Sequence, residues 1–353
     1  MRALNRSVVT SLTISANQKK RGILIRSISS SQMALDKGRV CVTGAAGFIG
    51  STVVKLLLSK DFKVHGTVRD PLLVDESYDH LEKLDKASEN LTVFKADLLD
   101  YSSLYSAIAG CNGVIHIASP VPSSTTTNPE VEVFEPAVKG TLNVLKACFE
   151  AKVKRAVVVS SEGAVLMNPG WPKGKVKDET CWSDREYCRK TNNWYFLSKT
   201  EAEIQAMEYA KKTGLDVVTI CPTLVLGPIL QSRVNASSLI LIKLLKEGYE
   251  TTANRLRMIV DVRDVAEALL LLYEKPEAEG RHICTAHPIM TRDLVEKLKS
   301  IYPNYNYPKN CTDEDDQEQQ TSEKLQKLGW TFRPLEETLI DSVESYRKAG
   351  ILD

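Results

Sequence analysis

The stretch that decides the fold is Gly44-Ala45-Ala46-Gly47-Phe48-Ile49-Gly50, which directly follows the apolar run Arg39-Val40-Cys41-Val42-Thr43. A glycine trio between a strand and a helix is typical of a dinucleotide-binding turn. Gly44 permits the tight turn out of the strand, Gly47 lets a pyrophosphate approach the backbone, and Gly50 lets the helix pack closely on the sheet. Free N–H groups and the dipole at the helix N-terminus attract phosphate. The whole turn is therefore predicted to bind a dinucleotide.

Downstream of this turn, short apolar runs alternate with amphipathic stretches. This alternation predicts an α/β fold with a doubly wound parallel sheet of the Rossmann type, covered by helices on both faces. The strand-like runs are 40–43, 63–68, 91–95, 113–118, 155–160 and 216–221, and the helix-like stretches between them are 49–59, 102–108, 131–150 and 195–213.

The strict alternation stops after Cys221-Pro222. Helices are predicted over 239–247, 262–274, 291–301 and 335–349, with apolar runs at 257–260 and 281–285 and a solvated loop at 313–320. We therefore expect three parts, namely an N-terminal extension (1–37), an NADP-binding domain (38–225) and a smaller C-terminal substrate-binding lobe (226–353).

The composition is that of an ordinary globular protein. The chain has 353 residues, 43% of them apolar, and a net charge of +1, which disfavours nucleic acid or an anionic membrane as a partner. The eight cysteines include no Cys-x-x-Cys, and the histidines have no metal-ligand spacing, so no metal site is predicted. We expect a small-molecule substrate and a monomer or homodimer.

The first 35 residues hold six basic residues and seven serines but no acid before Asp36. This composition is typical of a transit peptide for a mitochondrion or plastid. The alternative is that translation starts at Met33, which would leave the protein in the cytoplasm. Both interpretations remain open at this point.

The end of the second predicted strand distinguishes between the two nicotinamide cofactors. Arg69 at this position suits the 2′-phosphate of NADP(H), because a guanidinium forks onto phosphate oxygens. The alternative is that Arg69 is a surface residue and Asp70 binds the ribose of NAD. After the third strand, Asp97 and Leu98 are predicted to border the adenine or, alternatively, to form a simple turn.

The candidate catalytic residues are Ser161, Tyr195 and Lys199. Tyr195 and Lys199 lie one helical turn apart on one face. A reduced carbonyl oxygen needs a proton donor, and a free phenol with a pKa of about 10 is a weak one near neutrality. The neighbouring Lys199 ammonium and the positive charge of the oxidised nicotinamide are together expected to lower that pKa. Ser161, at the end of the fifth strand, is predicted to hold the carbonyl oxygen, and Lys199 also to reach the nicotinamide ribose.

With these motifs the chain resembles the extended short-chain dehydrogenases/reductases over roughly residues 38 to 350, and more narrowly the plant dihydroflavonol reductase and cinnamoyl-CoA reductase group. The resemblance implies that Ile117, Ala118 and Ser119 run along the cofactor. It also implies that Pro222, Thr223, Leu224 and Val225 pass the nicotinamide and that Ser237 contacts the cofactor phosphates or the pocket. The matching stretches include Thr67-Val68-Arg69, His116-Ile117-Ala118-Ser119-Pro120-Val121, Val159-Ser160-Ser161, Asn193-Trp194-Tyr195 and Pro222-Thr223-Leu224-Val225-Leu226-Gly227-Pro228.

Three positions depart from the group. Phe196 replaces the cysteine after the catalytic tyrosine, Glu162 follows Ser161 where a small or apolar residue is usual, and Leu166 replaces an asparagine common in dihydroflavonol reductases. The predicted function is an NADPH-dependent reductase of a phenylpropanoid-like aldehyde, ketone or CoA thioester. The alternatives are a nucleotide-sugar epimerase or dehydratase of the same superfamily and a non-enzymatic NADPH-binding scaffold.

Overall fold

Seven parallel strands form the main sheet of the protein, in the order β10-β6-β5-β4-β1-β2-β3. A computed structural model describes residues 37–69, 78–120, 126–313 and 318–353, so the predicted extension up to Asp36, and Asp70, lie outside the described residues. The strands are β1 (Arg39–Thr43), β2 (Lys63–Val68), β3 (Leu91–Lys95), β4 (Gly113–His116), β5 (Arg155–Val159), β6 (Val217–Pro222), β7 (Leu224–Leu226), β8 (Thr251–Asn254), β9 (Leu256–Asp261), β10 (Gly280–Cys284), β11 (His287–Met290) and β12 (Asn310–Asp313).

Helices cover both faces of this sheet, as the alternating pattern predicts. They are α1 (Phe48–Ser59), α2 (Asp79–Glu82), α3 (Ala87–Asn90), α4 (Tyr101–Ile108), α5 (Glu135–Glu150), α6 (Arg185–Lys190), α7 (Trp194–Thr213), α8 (Ala236–Lys246), α9 (Val262–Glu274), α10 (Thr291–Ile301), α11 (Glu323–Lys327) and α12 (Leu335–Lys348). The prediction of a doubly wound parallel sheet is confirmed.

The first strand shows why the sheet has a core on each face. Val40 and Val42 pack with the side of α1 and α9, whereas Cys41 packs with the side of α4 and α5. Successive side chains of a strand point to opposite faces, so an unbroken apolar run can serve two cores at once. Each leucine or valine fully buried in this way contributes about 1.5–3 kcal/mol.

Most predicted boundaries agree with the structure to within one or two residues. The predicted helix 131–150 differs in kind, because it begins with a π-helical turn at Glu130–Phe134 before α5. Pro136 has no N–H to give to the carbonyl of residue 132, which interrupts the α-helical ladder at this point.

The C-terminal part of the chain returns to the main sheet. Strand β10 pairs in parallel with β6, and α9 packs against α1, while β7, β9 and β11 form a second small sheet and β8 pairs with β12. Lys37–Asp353 forms one compact unit. The division of the chain at residue 225 therefore stays a prediction, and the substrate-side elements are interleaved with elements of the sheet.

The predicted solvated loop at 313–320 is wrong in its last residues. Glu318 forms an ion pair with the fully buried ammonium of Lys177, and Gln320 is itself buried. Glu318 and the amide group of Gln320 are drawn in because each finds a partner of complementary polarity, Lys177 and Glu162 respectively, while Gln319 between them stays exposed.

Candidate active site

The three glycines of the turn differ in whether the fold itself requires a glycine at that position. At Gly44 the φ angle is +68°, and an added Cβ would lie 3.0 Å from the Cα of Ala118. At Gly50 an added Cβ would lie 2.1 Å from the carbonyl oxygen of Gly44. At Gly47 the closest described atom is 3.4 Å away, an ordinary contact. Glycine at 44 and 50 is thus needed by the fold, whereas the fold itself would admit a side chain at 47, and the approach of a pyrophosphate there stays a prediction.

The turn is tied to the neighbouring strand by its own backbone. Ala45 N–H donates to the carbonyl of Thr67 (3.0 Å), and Gly47 N–H donates to the carbonyl of Gly44 (3.1 Å). The side chains of Ala45 and Phe48 are buried in the core, while Gly47 is exposed. The first turn of α1 carries no acidic residue, so no negative charge competes with a phosphate there.

The residues predicted to contact the adenosine half lie at the carboxyl ends of β2 and β3. Arg69 is exposed directly after β2. The carboxylate of Asp97 accepts a hydrogen bond from the N–H of Leu99 (2.7 Å), and Leu98 is half-buried. The Asp97 side chain therefore forms a turn, which was the alternative prediction for this residue, and Asp97 is exposed. The cofactor roles of Arg69, Asp97 and Leu98 stay predictions.

A buried hydroxyl–imidazole chain positions the segment after β4. The Oγ1 of Thr43 accepts from the N–H groups of Ile117 and Ala118 (both 3.1 Å) and lies 2.7 Å from Nδ1 of His116. Because that oxygen already accepts two protons, its own proton goes to His116. Burial and, to a smaller extent, the charge of Lys199 together lower the pKa of His116 to about 3, so this histidine is a neutral structural residue.

The two serines after β5 have different partners. The hydroxyl of Ser160 donates to the carboxylate of Glu203 (2.7 Å). The Oγ of Ser161 accepts from the N–H of Gly163 (3.1 Å), which leaves its proton for another acceptor. Of the pair, Ser161 is thus the one whose hydroxyl can donate to a carbonyl oxygen, in agreement with the sequence prediction.

Tyr195 and Lys199 lie in the first turns of α7, a helix that Gly214 ends in the left-handed conformation. The ammonium of Lys199 lies 5.9 Å from the centre of the Tyr195 ring. Burial lowers the pKa of Lys199 to about 8, while Cys221 and Glu203 oppose that shift. Burial raises the pKa of Tyr195, interaction with the Ser161 hydroxyl lowers it, and the Glu162 carboxylate raises it.

Among the protein's own groups, the effects that raise the Tyr195 pKa outweigh those that lower it, so the expected lowering by Lys199 together with the oxidised nicotinamide stays a prediction. Desolvation of the phenolate is the largest effect on this pKa, and the interaction with the Ser161 hydroxyl opposes it. The sign has a chemical consequence. A phenol whose pKa is raised keeps its proton at neutral pH, which is the protonation state that a carbonyl reduction requires.

Glu162 begins the short helical turn Glu162–Ala164 that follows Ser161. Its carboxylate accepts a hydrogen bond from the amide of Gln320 (3.5 Å). Burial raises the pKa of Glu162 to about 7, and hydrogen bonding to Gln320 and the charge of Arg257 oppose that rise. Phe196 packs on the same short turn, since an added Cβ at Gly163 would lie 3.3 Å from its ring. The Glu162 carboxylate is close enough to Tyr195 to raise the pKa of the phenol, and whether it faces a bound substrate stays a prediction.

Sequence reasoning missed a buried pair beneath the site. Glu203 is one turn beyond Lys199 on α7, and its carboxylate is bound by the guanidinium of Arg281 (2.9 Å). The spacing of Glu203 from Lys199 was a signal that could have been read from the sequence. Arg281, 78 residues further along the chain, gave no such signal.

A small cavity lies at the carboxyl edge of the sheet, and three of the predicted site residues, Ala118, Ser119 and Lys199, line it. The residues lining it are His116, Ala118, Ser119, Thr141, Val158, Val159, Ser160, Lys199, Ala202 and Glu203. Pro222 ends β6 and Leu224 begins β7 beside this edge, and the Thr223 hydroxyl lies 3.2 Å from that of Thr285. The half-buried Ser237, in the first turn of α8, accepts from the amide of Asn235 (2.7 Å). The cofactor contacts of Pro222, Thr223, Leu224, Val225 and Ser237 stay predictions.

Comparison with known proteins decides the family. The profile of the NAD dependent epimerase/dehydratase family matches residues 40–284. The chain belongs to this family. Cinnamoyl-CoA reductase 1 of Petunia hybrida is 48% identical over 317 residues, covering 89% of this chain and 93% of that protein. The bifunctional dihydroflavonol 4-reductase/flavanone 4-reductase of Malus domestica is 40% identical, covering 91% of this chain and 93% of that protein.

Two solved structures with a similar fold are also reductases. Vestitone reductase from alfalfa (Medicago sativa) has a TM-score of 0.77 and 32% identity, covering 90% of this chain and all of that one. The yeast methylglyoxal/isovaleraldehyde reductase Gre2, complexed with NADPH, also has a TM-score of 0.77, with 26% identity over 89% of this chain and 100% of that chain. The predicted resemblance, fold class and enzymatic class, an oxidoreductase, are confirmed.

Two further observations apply to the described part of the chain. No helix in it is long and apolar enough to cross a membrane. No group of three or more His, Cys, Asp or Glu side chains in these residues could hold a metal ion.

Proposed function

We propose that this protein is an NADPH-dependent reductase that transfers hydride to the carbonyl carbon of a phenylpropanoid-like aldehyde, ketone or CoA thioester. The observation that carries the proposal is the grouping of Ser161, Tyr195 and Lys199 at the carboxyl edge of the sheet that also presents the glycine turn. A non-enzymatic scaffold would not need these three side chains together.

Each residue has a defined task in this reaction. NADPH supplies the hydride. The Ser161 hydroxyl donates to the carbonyl oxygen and holds it, and the Tyr195 phenol gives its proton to that oxygen as negative charge develops. The Lys199 ammonium would stabilise the resulting phenolate and would bind the nicotinamide ribose of the cofactor. The Gly44–Gly50 turn would hold the pyrophosphate and Arg69 the 2′-phosphate.

The substrate class rests on the relatives and on one departure from them. Cinnamoyl-CoA reductases and a bifunctional dihydroflavonol 4-reductase/flavanone 4-reductase are 40% to 48% identical to this chain. Glu162 brings a carboxylate next to Tyr195, and this charge disfavours a substrate that carries several phosphates. We therefore propose that uncharged aldehydes or ketones are better substrates than acyl-CoA thioesters.

A substrate panel tests the proposal. Hydroxycinnamoyl-CoA thioesters, the corresponding aldehydes and dihydroflavonols would each be incubated with NADPH or NADH while nucleotide oxidation is followed. We expect NADPH-dependent turnover of at least one carbonyl class. Epimerisation of a nucleotide sugar without any carbonyl reduction would overturn the proposal.

The compartment and the oligomeric state are proposed from the sequence. A fluorescent fusion of residues 1–35 is expected to enter mitochondria or plastids if the basic, acid-free segment is a transit peptide. A diffuse cytosolic signal would instead indicate initiation at Met33. Sedimentation of the purified protein is expected to give a monomer or homodimer.

A further inference from the structure

The most completely bonded charged group near the site is the carboxylate of Glu203. Its side chain is 0% exposed. It accepts from the hydroxyls of Ser160 and Thr219 (both 2.7 Å), from the Arg281 Nε (2.9 Å), and from the Cys221 thiol (3.3 Å). A buried carboxylate is tolerated only with such a set of partners.

The partner guanidinium extends the connection into the loop that surrounds the site. Arg281 is 4% exposed, and its Nη2 donates to the carbonyl of Ala164 (2.7 Å). Its Nη1 donates to the carbonyls of Cys181 and Glu179, and the guanidinium lies 3.6 Å from the centre of the Trp182 ring. One ion pair thus joins β10, α7, the end of β5 and the turn after Ser161.

The placement of Glu203 couples this pair to the catalytic groups. It lies four residues after Lys199 on α7, so both side chains project from one face of the helix and line the same cavity. Through Ser160 it also holds the residue that precedes Ser161. Movement of Glu203 would therefore displace the serine and the lysine relative to Tyr195.

We propose that Glu203 and Arg281 are positioning residues of the reductase: Glu203 fixes Ser161 and keeps Lys199 protonated, and Arg281 limits how strongly Glu203 acts on Lys199. This inference rests on the proposed function for the roles of Ser161 and Lys199. Neither residue of the ion pair contacts the reacting atoms in this assignment.

The charge state of Lys199 is set by a small number of groups from the elements packed around it. Glu203 and Cys221 favour its protonated form, and burial disfavours it. His116 is held neutral and adds no charge. The ionisable groups facing Lys199 are Tyr195 and Glu203 on α7, Cys221 on β6 and His116 on β4, with Arg281 on β10 behind Glu203.

Two variants that break the same ion pair are expected to act in opposite directions. In Glu203→Gln the negative charge is lost, so Lys199 gives up its proton more readily. In Arg281→Gln the carboxylate keeps its Ser160 and Thr219 donors and acts on Lys199 without opposition. The probe is NADPH affinity measured by fluorescence from pH 6 to pH 10, because Lys199 is assigned to the nicotinamide ribose. We expect the alkaline loss of affinity to move down by about 0.5–1 pH unit in the first variant and up by a similar amount in the second.

Further variants separate charge from position. Glu203→Asp keeps the charge but shortens the side chain, so we expect kcat to fall by about ten- to a hundredfold with an unshifted pH midpoint. Asp216→Asn is the matched control, since it breaks the Arg155–Asp216 pair (2.7 Å) at the other end of β5 and should leave the pH midpoint unchanged.

If a single variant does not fold, Glu203→Gln/Arg281→Gln removes both charges, and its pH midpoint is expected near that of the wild type. Shifts of the same sign in the two single variants, or no shift in folded protein, would overturn the inference. Failure of the proposed function is separate, because it would be seen as absence of carbonyl turnover in the wild type while NADPH binding still reports on Lys199.

Discussion

The cofactor end and the substrate end of the site are built in different ways. The cofactor end is a single turn of adjacent residues whose contacts are made within Gly44–Gly50 and with the neighbouring strand. At the substrate end, the carboxylate of Glu162 accepts a hydrogen bond from the amide of Gln320, which is 158 residues away in the sequence. We therefore expect local backbone geometry to bind a ligand common to many enzymes, whereas the part predicted to select a substrate is assembled from distant segments.

Lys177 illustrates the second kind of construction. Its buried ammonium donates to the carbonyl of Leu166 (2.5 Å) and forms an ion pair with Glu318. Its backbone N–H donates to the carbonyl of Gln319 (2.8 Å), and its carbonyl accepts from the N–H of Thr321 (3.0 Å). Residues 318–321 are held in this way against the turn that carries Glu162, so the substrate end depends on the C-terminal part of the chain.

The largest expected effect separates chemistry from cofactor binding. Tyr195→Phe removes the proton donor but keeps the ring, so we expect turnover to fall by about 10²- to 10⁴-fold. NADPH affinity, measured by fluorescence, should change little because the phosphates are assigned to the glycine turn and Arg69. Lys199→Ala should reduce both turnover and affinity. Near-full turnover of Tyr195→Phe would show that the phenol is not the acid.

The second-largest effect is expected from a variant that tests whether Arg69 binds the 2′-phosphate of NADPH. Arg69→Ala removes a charge-assisted bond of about 1.5–3 kcal/mol, which corresponds to about a 10- to 150-fold increase in the Michaelis constant for NADPH. The constant for NADH is the internal control and should stay nearly unchanged. Equal changes for both nucleotides would show that Arg69 does not contact that phosphate.

A pair of glycine substitutions distinguishes the fold from the ligand within one turn. Gly50→Ala places a Cβ 2.1 Å from a backbone oxygen, so we expect a loss of about 1–3 kcal/mol in the free energy of unfolding. Gly47→Ala meets only a 3.4 Å contact and should unfold like the wild type while binding NADPH more weakly. Denaturant unfolding and NADPH titration of both variants are the measurements. Equal stability of the two variants would contradict the assignment.

The difference between local and long-range construction also explains which features could be predicted from the sequence. The turn at Gly44, strands β1 to β6 and the Tyr195–Lys199 spacing are predictable because strand and helix periodicity and the turn itself are properties of adjacent residues. The Glu203–Arg281 and Lys177–Glu318 pairs are not, because their partners meet only after β10 and residues 318–321 have packed in place. The burial that raises the Tyr195 pKa is likewise a property of the folded chain and not of adjacent residues.

The smallest expected effect concerns the substrate end. Because the pKa of Glu162 is raised to about 7, its carboxylate is mostly protonated at pH 6 and mostly ionised at pH 8. Relative to the free aldehyde, turnover of a hydroxycinnamoyl-CoA thioester should therefore decline about threefold over this interval, the size of a screened charge interaction of roughly 0.7 kcal/mol. Glu162→Gln removes the charge and should abolish this decline.

The ratio of kcat/KM for the two substrates, measured in the same enzyme at each pH, is the quantity to compare, because general effects of pH on Tyr195 and Lys199 then cancel. The aldehyde serves as the neutral control within every variant. A ratio that stays constant with pH in the wild type, or that falls equally in Glu162→Gln, would show that the Glu162 carboxylate does not select against phosphates. In that case the substrate end, although assembled from distant segments, would discriminate between substrates by shape alone. It would then differ even more from the cofactor end, where the charge of Arg69 is predicted to distinguish NADPH from NADH.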